Sequence, residues 1–307
     1  MLRRNHWMQG ILAGSLALGL AGGAHATALD GLFSPGEVLL TDRSGENVVA
    51  PDGSLRTGDI QEGDRLIGAA EIDTISSGGT EENPLAVDRE LTALFQIEVT
   101  AMSDTGQTAS LDGTTYEIWD FELGPAGATA WDDYLTAAEA ADLGVDRDRM
   151  VAGFYDDAVE DDGGTDFSRL GSDSQQELED ASDGELRAVA GLDEVDDFWV
   201  ARGPLNLQTF ADANQNEDLG DFFFGASWLY EDFTAVNFEE FDQNTGSEAL
   251  DNIFSTLDGA NPGTVTVGLF GDGDLVGKQI DSDFGVWNKV DISAQAVPAP
   301  ATLALTG

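Results

Sequence analysis

Hydrophobic and polar residues alternate along much of this chain with the two-residue period of a half-buried β-strand. In the clearest run, Glu90 to Met102, the odd-numbered residues are apolar and most even-numbered ones are polar. Turns rich in glycine and aspartate, such as Asp112-Gly113 and Gly271 to Asp274, separate such runs. The pattern predicts a mainly β protein, an antiparallel β-sandwich or jelly roll. Further strands are predicted at Glu37 to Thr41, Arg65 to Ile75, Thr115 to Leu123, Met150 to Tyr155, Leu186 to Ala190, Phe198 to Ala201, Phe222 to Tyr230, Thr264 to Phe270 and Phe284 to Ile292.

Two segments have the helical period instead. Trp131 to Leu143 spaces its apolar residues three and four apart, has acids in its first turn and is followed by Gly144, which favours a helix end. Ser247 to Leu257 begins with an N-cap serine and has one apolar face. We therefore predict two or three short helices packed on the sheets. The acidic, glycine-rich stretch from Asp156 to Asp183 is predicted to be a mobile loop, and it is the candidate boundary if the chain has two halves.

The first 26 residues have the three parts of a secretory signal peptide. Arg3 and Arg4 form a basic start, Ile11 to Leu20 an apolar run, and Ala24 to Ala26 a small-x-small cleavage site. The alternative is an N-terminal membrane anchor, which a short apolar run interrupted by glycines disfavours. We predict an exported protein with a signal peptide (1–26), a β-rich domain (27–294) and a C-terminal motif (295–307).

The charge of the chain restricts its partners. It has 59 Asp and Glu against 13 Lys and Arg, a formal charge of −46, and the chain without residues 1–26 has 59 acidic and 11 basic groups, or −48. Such a chain repels nucleic-acid phosphates and anionic membranes, so nucleic-acid binding is excluded. At about 1 M salt the Debye length falls to about 3 Å and screens this self-repulsion. The composition therefore predicts a protein adapted to a saline exterior.

The missing residue types restrict the chemistry further. There is no Cys, and both histidines, His6 and His25, lie in the predicted signal peptide. Triads, Cys-His pairs and His-ligated zinc are therefore excluded from the exported domain, which leaves the two-carboxylate mechanism of glycosidases. Glu71 and Asp73 partly resemble the Glu-x-Asp-x-x-Glu strand of jelly-roll β-glucanases, but Ser76 replaces the third acid. The alternative is a strand with a solvent-facing polar side, and we assign no catalytic residue.

An acidic loop between two predicted β segments is the candidate metal site. Its oxygen-bearing residues have the one-three-five-seven spacing with which a tight loop surrounds calcium. Glu217 and Phe223 depart from the EF-hand pattern, and the alternative is an ordinary acidic loop. The predicted calcium ligands are Asp212, Asn214, Asn216, Asp218 and Asp221.

The tryptophan side chains are a second candidate for ligand binding. Five tryptophans follow the predicted signal peptide, and an exposed row of them would stack on sugar rings. Because most of them lie in predicted strands, packing in the core is the alternative. They are Trp119, Trp131, Trp199, Trp228 and Trp287.

The C-terminus carries the most specific motif. The run from Val297 to Leu305, with Pro298, Pro300 and Thr302, resembles the start of the PEP-CTERM sorting signal of exported Gram-negative proteins. Ala299 replaces the usual Glu, and the chain stops before the apolar helix and basic tail of that signal. The resemblance is therefore to a truncated sorting signal.

The PEP-CTERM resemblance implies export, processing by an exosortase-type membrane protease, and display at the cell surface or in the extracellular polysaccharide matrix. It implies no reaction. The sequence thus predicts a non-catalytic secreted or surface protein of the extracellular matrix or a biofilm that binds polysaccharide or neighbouring proteins, with calcium as the candidate cofactor. A carboxylate-dependent glycoside hydrolase on a jelly roll is the alternative.

Overall fold

A computed structural model describes most of the predicted β-rich domain: residues 33, 35–77, 83–84, 89–158, 167–168, 170, 173–214, 217–233, 236–278 and 282–299. The predicted signal peptide and residues 300–307 of the predicted sorting motif lie outside these ranges. Within them, none of the helices combines the length and hydrophobicity that a membrane span requires.

The structure is mainly β with antiparallel sheets, which confirms the predicted fold class. All ten predicted strands coincide with observed ones, although the Thr264 to Phe270 run divides into two. The strands are β1 (Gly36–Val49), β2 (Arg65–Ser77), β3 (Asn83–Pro84), β4 (Arg89–Leu111), β5 (Thr114–Pro125), β6 (Met150–Ala158), β7 (Glu185–Gly191), β8 (Phe198–Pro204), β9 (Asp218–Glu231), β10 (Val236–Glu239), β11 (Phe241–Asn244), β12 (Thr264–Val267), β13 (Leu269–Val276) and β14 (Val286–Pro298).

The main sheet closes on itself into a barrel. Its strands follow one another in the order β1, β2, β4, β6, β7, β9, β13 and β14, and β14 pairs again with β1. At the other end of the long strands β4 and β9, β5 and β8 take the places of β6 and β7. Eight strands therefore surround the interior by either route. β10 adds to the end of β14, and β11 and β12 form a separate two-stranded sheet.

The strand periodicity divides the apolar residues between two faces of this barrel. Val38, Ile97 and Phe222 belong to the large cluster that fills the interior. Trp131, Leu178 and the smaller cluster around them cover the outside of the sheet, where the helices pack. The barrel is thus buried on its inner face and, over part of its circumference, on its outer face as well.

Within the described ranges, four short α-helices and one 3-10 helix accompany the sheet. The predicted Ser247 to Leu257 helix is confirmed, and the Ser247 hydroxyl accepts a hydrogen bond from the Leu250 amide at 3.2 Å. The predicted Trp131 to Leu143 helix begins later than expected, because Thr136 and Glu139 form a capping box that fixes its start. The helices are the 3-10 helix (Ala128–Trp131), α1 (Ala137–Leu143), α2 (Ser174–Asp180), α3 (Leu207–Asp212) and α4 (Glu248–Thr256).

The stretch predicted as a mobile loop and candidate boundary contains α2. Residues 159–166 of this stretch lie outside the described ranges. The strands that flank it, β6 and β7, pair with each other, so both sides of the stretch belong to the same sheet.

Two predicted turns have opposite outcomes. Asp112 and Gly113 form the β4–β5 hairpin turn with φ of 46° and 83°, the left-handed conformation that a tight hairpin requires. The turn predicted at Gly271 to Asp274 is wrong, because these residues lie inside β13. The Phe224 ring of the neighbouring strand occupies the space that a side chain at Gly271 would need, so this glycine serves packing rather than chain reversal.

Candidate functional site

A polar groove on the outside of the barrel is the candidate functional site. It consists of a cleft of about 440 Å³ and a second cleft of about 250 Å³, which share Asn47 and Leu55. The volume of the first cleft lies within the size range of ligand pockets, and that of the second lies just below it. The first cleft is lined by Asn47, Val49, Gly53, Leu55, Arg65, Ile67, Gln96, Thr129, Ala130, Asp133, Tyr134, Ser174, Gln175 and Leu178. The second cleft is lined by Asn47, Val48, Leu55, Arg56, Thr57, Leu207, Gln208, Ala211, Lys278, Asp283, Gly285 and Val286.

The floor of the first cleft is the outward face of three neighbouring strands. Asn47 of β1 lies opposite Ile67 of β2, which in turn lies opposite Gln96 of β4. In the next row, Val49 lies opposite Arg65. These residues share one face because their neighbours in sequence point into the barrel.

Hydrogen bonds hold the two walls against this floor. The buried Gln96 donates from Nε2 to the Ala130 carbonyl of the 3-10 helix at 2.8 Å. Asn47 donates from Nδ2 to Oγ of Ser174, the first residue of α2, at 2.8 Å, and accepts at Oδ1 from the Gly285 amide at 3.0 Å. The width of the cleft is therefore fixed by buried polar contacts from the sheet to both walls.

Tyr134 and Leu55 provide the apolar surface of the groove. Tyr134 is half-buried beside α2, and burial, together with nearby Asp133, raises the pKa of its hydroxyl. The hydroxyl is therefore neutral at physiological pH and able to donate. Leu55 is 60% exposed at the junction of the two clefts. An aromatic ring and an exposed leucine beside polar groups suit a ligand with both apolar and hydroxyl faces.

The groove has an unusual charge for this chain. Arg65 lines the first cleft, and Arg56 and Lys278 line the second. Among the described lining residues, the carboxylates are Asp133 in the first cleft and Asp283 in the second. Because Arg56 is paired with the buried Asp64, the remaining cations and acids balance locally in a chain whose net charge is −46. Arg65 makes no ion pair within the described part of the chain, which leaves its guanidinium for a ligand.

Comparisons with known proteins give no identification. No family model, curated protein or solved structure matches this chain.

The predicted calcium ligands occupy three different elements. Asp212 ends α3 and accepts from Nε2 of Gln208 at 2.7 Å, and Asp218 begins β9 and accepts from the Gly220 amide at 3.1 Å. The Asn214 amide donates to Glu217 Oε2 at 2.8 Å, and Asn216 lies outside the described residues. Among the side chains that the structure describes, no three His, Cys, Asp or Glu residues are grouped closely enough to hold a metal ion.

Asp221, the remaining predicted ligand, lies within β9 rather than in the loop. It pairs across the sheet with Asp274 of β13 on one side and Arg202 of β8 on the other. Partial burial raises its pKa, with smaller contributions from Asp218 and Asp274. The sheet register thus gives Asp221 neighbours that the sequence spacing did not indicate.

The strand that resembled a glucanase motif contains a β-bulge. Thr41 of β1 lies opposite Thr74, whereas Asp42 lies opposite Ile72, so Asp73 is the extra residue on β2. A bulge interrupts the alternation that would place Glu71 and Asp73 as a regular pair on one face. The side chain of Asp73 lies outside the description.

The five tryptophans do not form an exposed row. Trp131, Trp199 and Trp287 are buried. Trp119 and Trp228 are half-buried against the interior cluster, and Trp228 donates from Nε1 to the Gly268 carbonyl at 2.8 Å. The aromatic residue of the groove is instead Tyr134, which lies in the segment predicted as the Trp131 to Leu143 helix.

Proposed function

We propose that this protein is exported and acts without catalysis in the extracellular matrix, where the polar groove binds polysaccharide. The observation that carries the proposal is the groove itself: two joined clefts with an aromatic ring, hydrogen-bonding side chains and none of the acidic excess of the whole chain. Because the clefts adjoin at Asn47 and Leu55, the groove suits successive units of a linear polymer better than a single compact ligand.

The carboxylates of the described residues support binding rather than hydrolysis. A glycosidase needs two carboxyl groups facing the scissile bond, roughly 5 to 10 Å apart. Each cleft has one carboxylate among its described lining residues. Two of the buried acids elsewhere, Asp64 and Asp120, are paired with Arg56 and Arg202. These pairs stabilise structure and are not available as a catalytic dyad.

A binding assay with an activity control tests the proposal. The protein without residues 1–26 is run by affinity electrophoresis through gels that contain a neutral glucan, alginate or extracellular polysaccharide purified from the producing bacterium. We expect retardation by at least one polymer and no release of reducing ends. Release of reducing ends would favour the glycoside hydrolase, and mobility unchanged by all three polymers would contradict polysaccharide binding.

The proposal that the protein is exported and sorted is based on the motifs at its two termini. The first residues of the PEP-CTERM-like motif, Val297 and Pro298, extend β14 and pair with β10. An exosortase-type protease is the proposed processing partner. N-terminal sequencing of the native protein tests export: a start at Thr27 supports it, and a retained Met1 in a cytoplasmic fraction contradicts it.

We also propose that the loop between α3 and β9 binds calcium. If the loop binds calcium, addition of the ion raises the melting temperature, because a ligand that binds only the folded state stabilises it. Magnesium serves as the control for ionic strength, and Asp212→Asn combined with Asp218→Asn should remove the calcium effect. Equal shifts with calcium and magnesium, or an effect that survives the double substitution, would contradict this site.

A further inference from the structure

Among the described residues, each cleft of the groove contains one cation and one acid without an ion-pair partner. Arg65 and Asp133 line the first cleft, and Lys278 and Asp283 line the second. Although Arg65 lies opposite Glu98 of β4, the two side chains form no ion pair. A charged side chain that has no partner in a concave site is available to a ligand.

Unpaired charges of both signs are unusual in a chain where cations are scarce. The sequence has 13 Lys and Arg against 59 Asp and Glu. Several arginines elsewhere are paired with acids, as Arg147 is with Asp132 at 2.8 Å and Arg202 with Asp120 at 2.6 Å. The groove instead keeps guanidinium, ammonium and carboxylate groups unpaired within two adjoining clefts, so hydrogen-bond donors and acceptors line the same space.

The charged groups of the first cleft lie near the Tyr134 hydroxyl. Burial raises the pKa of this hydroxyl, and of the charges that line the cleft, Asp133 raises the pKa and Arg65 lowers it. Gln175 of α2 forms a hydrogen bond with the same hydroxyl. A guanidinium only donates hydrogen bonds, a carboxylate only accepts them, and an amide does both. The first cleft therefore presents separate donors and acceptors beside one aromatic ring.

Sugar hydroxyl groups on adjacent carbons match such a cleft. Each hydroxyl can donate and accept, so one of the pair donates to the carboxylate while the other accepts from the cation. A carboxylated sugar matches less well, because each cleft holds an acid and the whole chain, with a net charge of −46, repels an anionic polymer. A cavity of about 150 Å³ holds a benzene ring. The clefts, of about 440 and 250 Å³, therefore have room for a sugar ring.

We infer that the groove binds a neutral polysaccharide whose units keep two free hydroxyl groups on adjacent carbons. The inference rests on the proposed function and names the class of polymer at that same site. In the first cleft the hydroxyl groups meet Arg65 and Asp133, and the face of the sugar ring lies on Tyr134. In the second cleft the hydroxyl groups meet Lys278 and Asp283.

Three oligomers of equal length separate the two requirements. Cellohexaose is neutral, and its internal units keep free hydroxyls on adjacent carbons. Laminarihexaose is neutral, but in its internal units the linkage occupies the carbon between the free hydroxyls. The mannuronate hexamer has adjacent hydroxyls and a carboxylate on every unit. We expect titration calorimetry of the wild-type protein to show saturable binding of cellohexaose, at least about tenfold tighter than of the other two, as one hydrogen bond to a charged group provides.

Substitution of one charge in each cleft checks the contacts. Asp133→Ala and Lys278→Ala should each weaken cellohexaose binding about tenfold, because a sugar hydroxyl loses its charged partner. Asp142→Ala and Lys289→Ala replace exposed residues of the same types outside the groove lining and should bind as the wild type does. None of the four side chains is buried, so all four variants are expected to fold.

The possible failures are distinguishable. Equal affinity for cellohexaose and laminarihexaose, equal or tighter binding of the mannuronate hexamer, or wild-type affinity in both Asp133→Ala and Lys278→Ala would overturn the inference. If cellohexaose does not bind although a polymer retards the protein in the gels, the inference is overturned and the proposed function stands. If no polymer retards the protein, the proposed function fails and the inference fails with it.

Discussion

The carboxyl group of Glu46 lies on the inward face of β1, beside the apolar interior cluster and within hydrogen-bonding distance of Asn288. Burial is the largest influence on the pKa of Glu46, which it raises from 4.5 to about 7. Between these two pH values the unfolded chain releases the proton and the folded protein keeps it. The unfolding free energy therefore falls as the pH rises through this window.

Substitution of Glu46 by glutamine tests this effect. Relative to Glu46→Gln, the wild-type protein should lose about 3 kcal/mol of stability between about pH 4.5 and pH 7 and change little above it. Urea unfolding at a series of pH values measures the difference. Glu37→Gln, an exposed position on the same strand, is the control and should follow the wild-type profile. A pH-independent difference between the wild type and Glu46→Gln would contradict a buried protonated carboxyl group.

At the scale of elements, β13 depends on close approach of its backbone to β9. Gly271 lies opposite Phe224 and Gly273 opposite Phe222, and the two aromatic rings occupy the positions of the missing side chains. Each of these glycines is followed by an acid, Asp272 or Asp274, which gave this segment the composition of a turn. The sequence pattern failed here because it does not record which face of a neighbouring strand is occupied by rings.

Gly271→Ala should destabilise the barrel by about 1 to 3 kcal/mol, because the added methyl group overpacks the interior against Phe224. Chemical denaturation measures the loss. Gly58→Ala is the matched control, since a side chain there meets no atom within 4 Å and its φ is not in the left-handed region. Equal stability of the two variants would show that the β9–β13 approach is looser than described.

The sequence alone predicts the separate strands and helices better than it predicts how they pair or where the groove lies. Local periodicity predicted ten strands and the capped α4, because each depends on neighbouring residues. It did not predict pairs such as β1–β14 and β5–β8, which join segments distant in the chain. It also missed the groove, because Arg65, Gln96 and Tyr134 belong to separate segments that each match an ordinary strand or helix. The register of the sheet brings Arg65 and Gln96 together, and the packing of the segment before α1 on the sheet adds Tyr134.

At the scale of the whole molecule, the net charge of −46 opposes the compact state. We expect the melting temperature near pH 7 to rise when NaCl is increased from about 0.1 M to about 1 M, because the Debye length falls from about 10 Å to about 3 Å. Near pH 4, where many carboxylates are protonated, the same salt increase should have a much smaller effect. A melting temperature that falls with salt at pH 7 would contradict adaptation to a saline exterior.

The groove is the part of this acidic surface that the proposed function assigns to polysaccharide. Tyr134 contributes its ring and Arg65 its unpaired guanidinium, so substitution of either should weaken binding. Tyr116 and Arg43 lie outside the groove on the same barrel and provide controls of the same residue types. Loss of an aromatic stacking contact corresponds to a decrease in affinity of about tenfold.

Titration calorimetry of the four alanine variants with the polysaccharide that retards the wild-type protein is therefore the most direct test. The groove account predicts that Tyr134→Ala and Arg65→Ala each bind about tenfold more weakly, while Tyr116→Ala and Arg43→Ala bind as the wild type does. Wild-type affinity in both groove variants, with all four proteins folded by near-ultraviolet circular dichroism, would contradict the groove as the polysaccharide site.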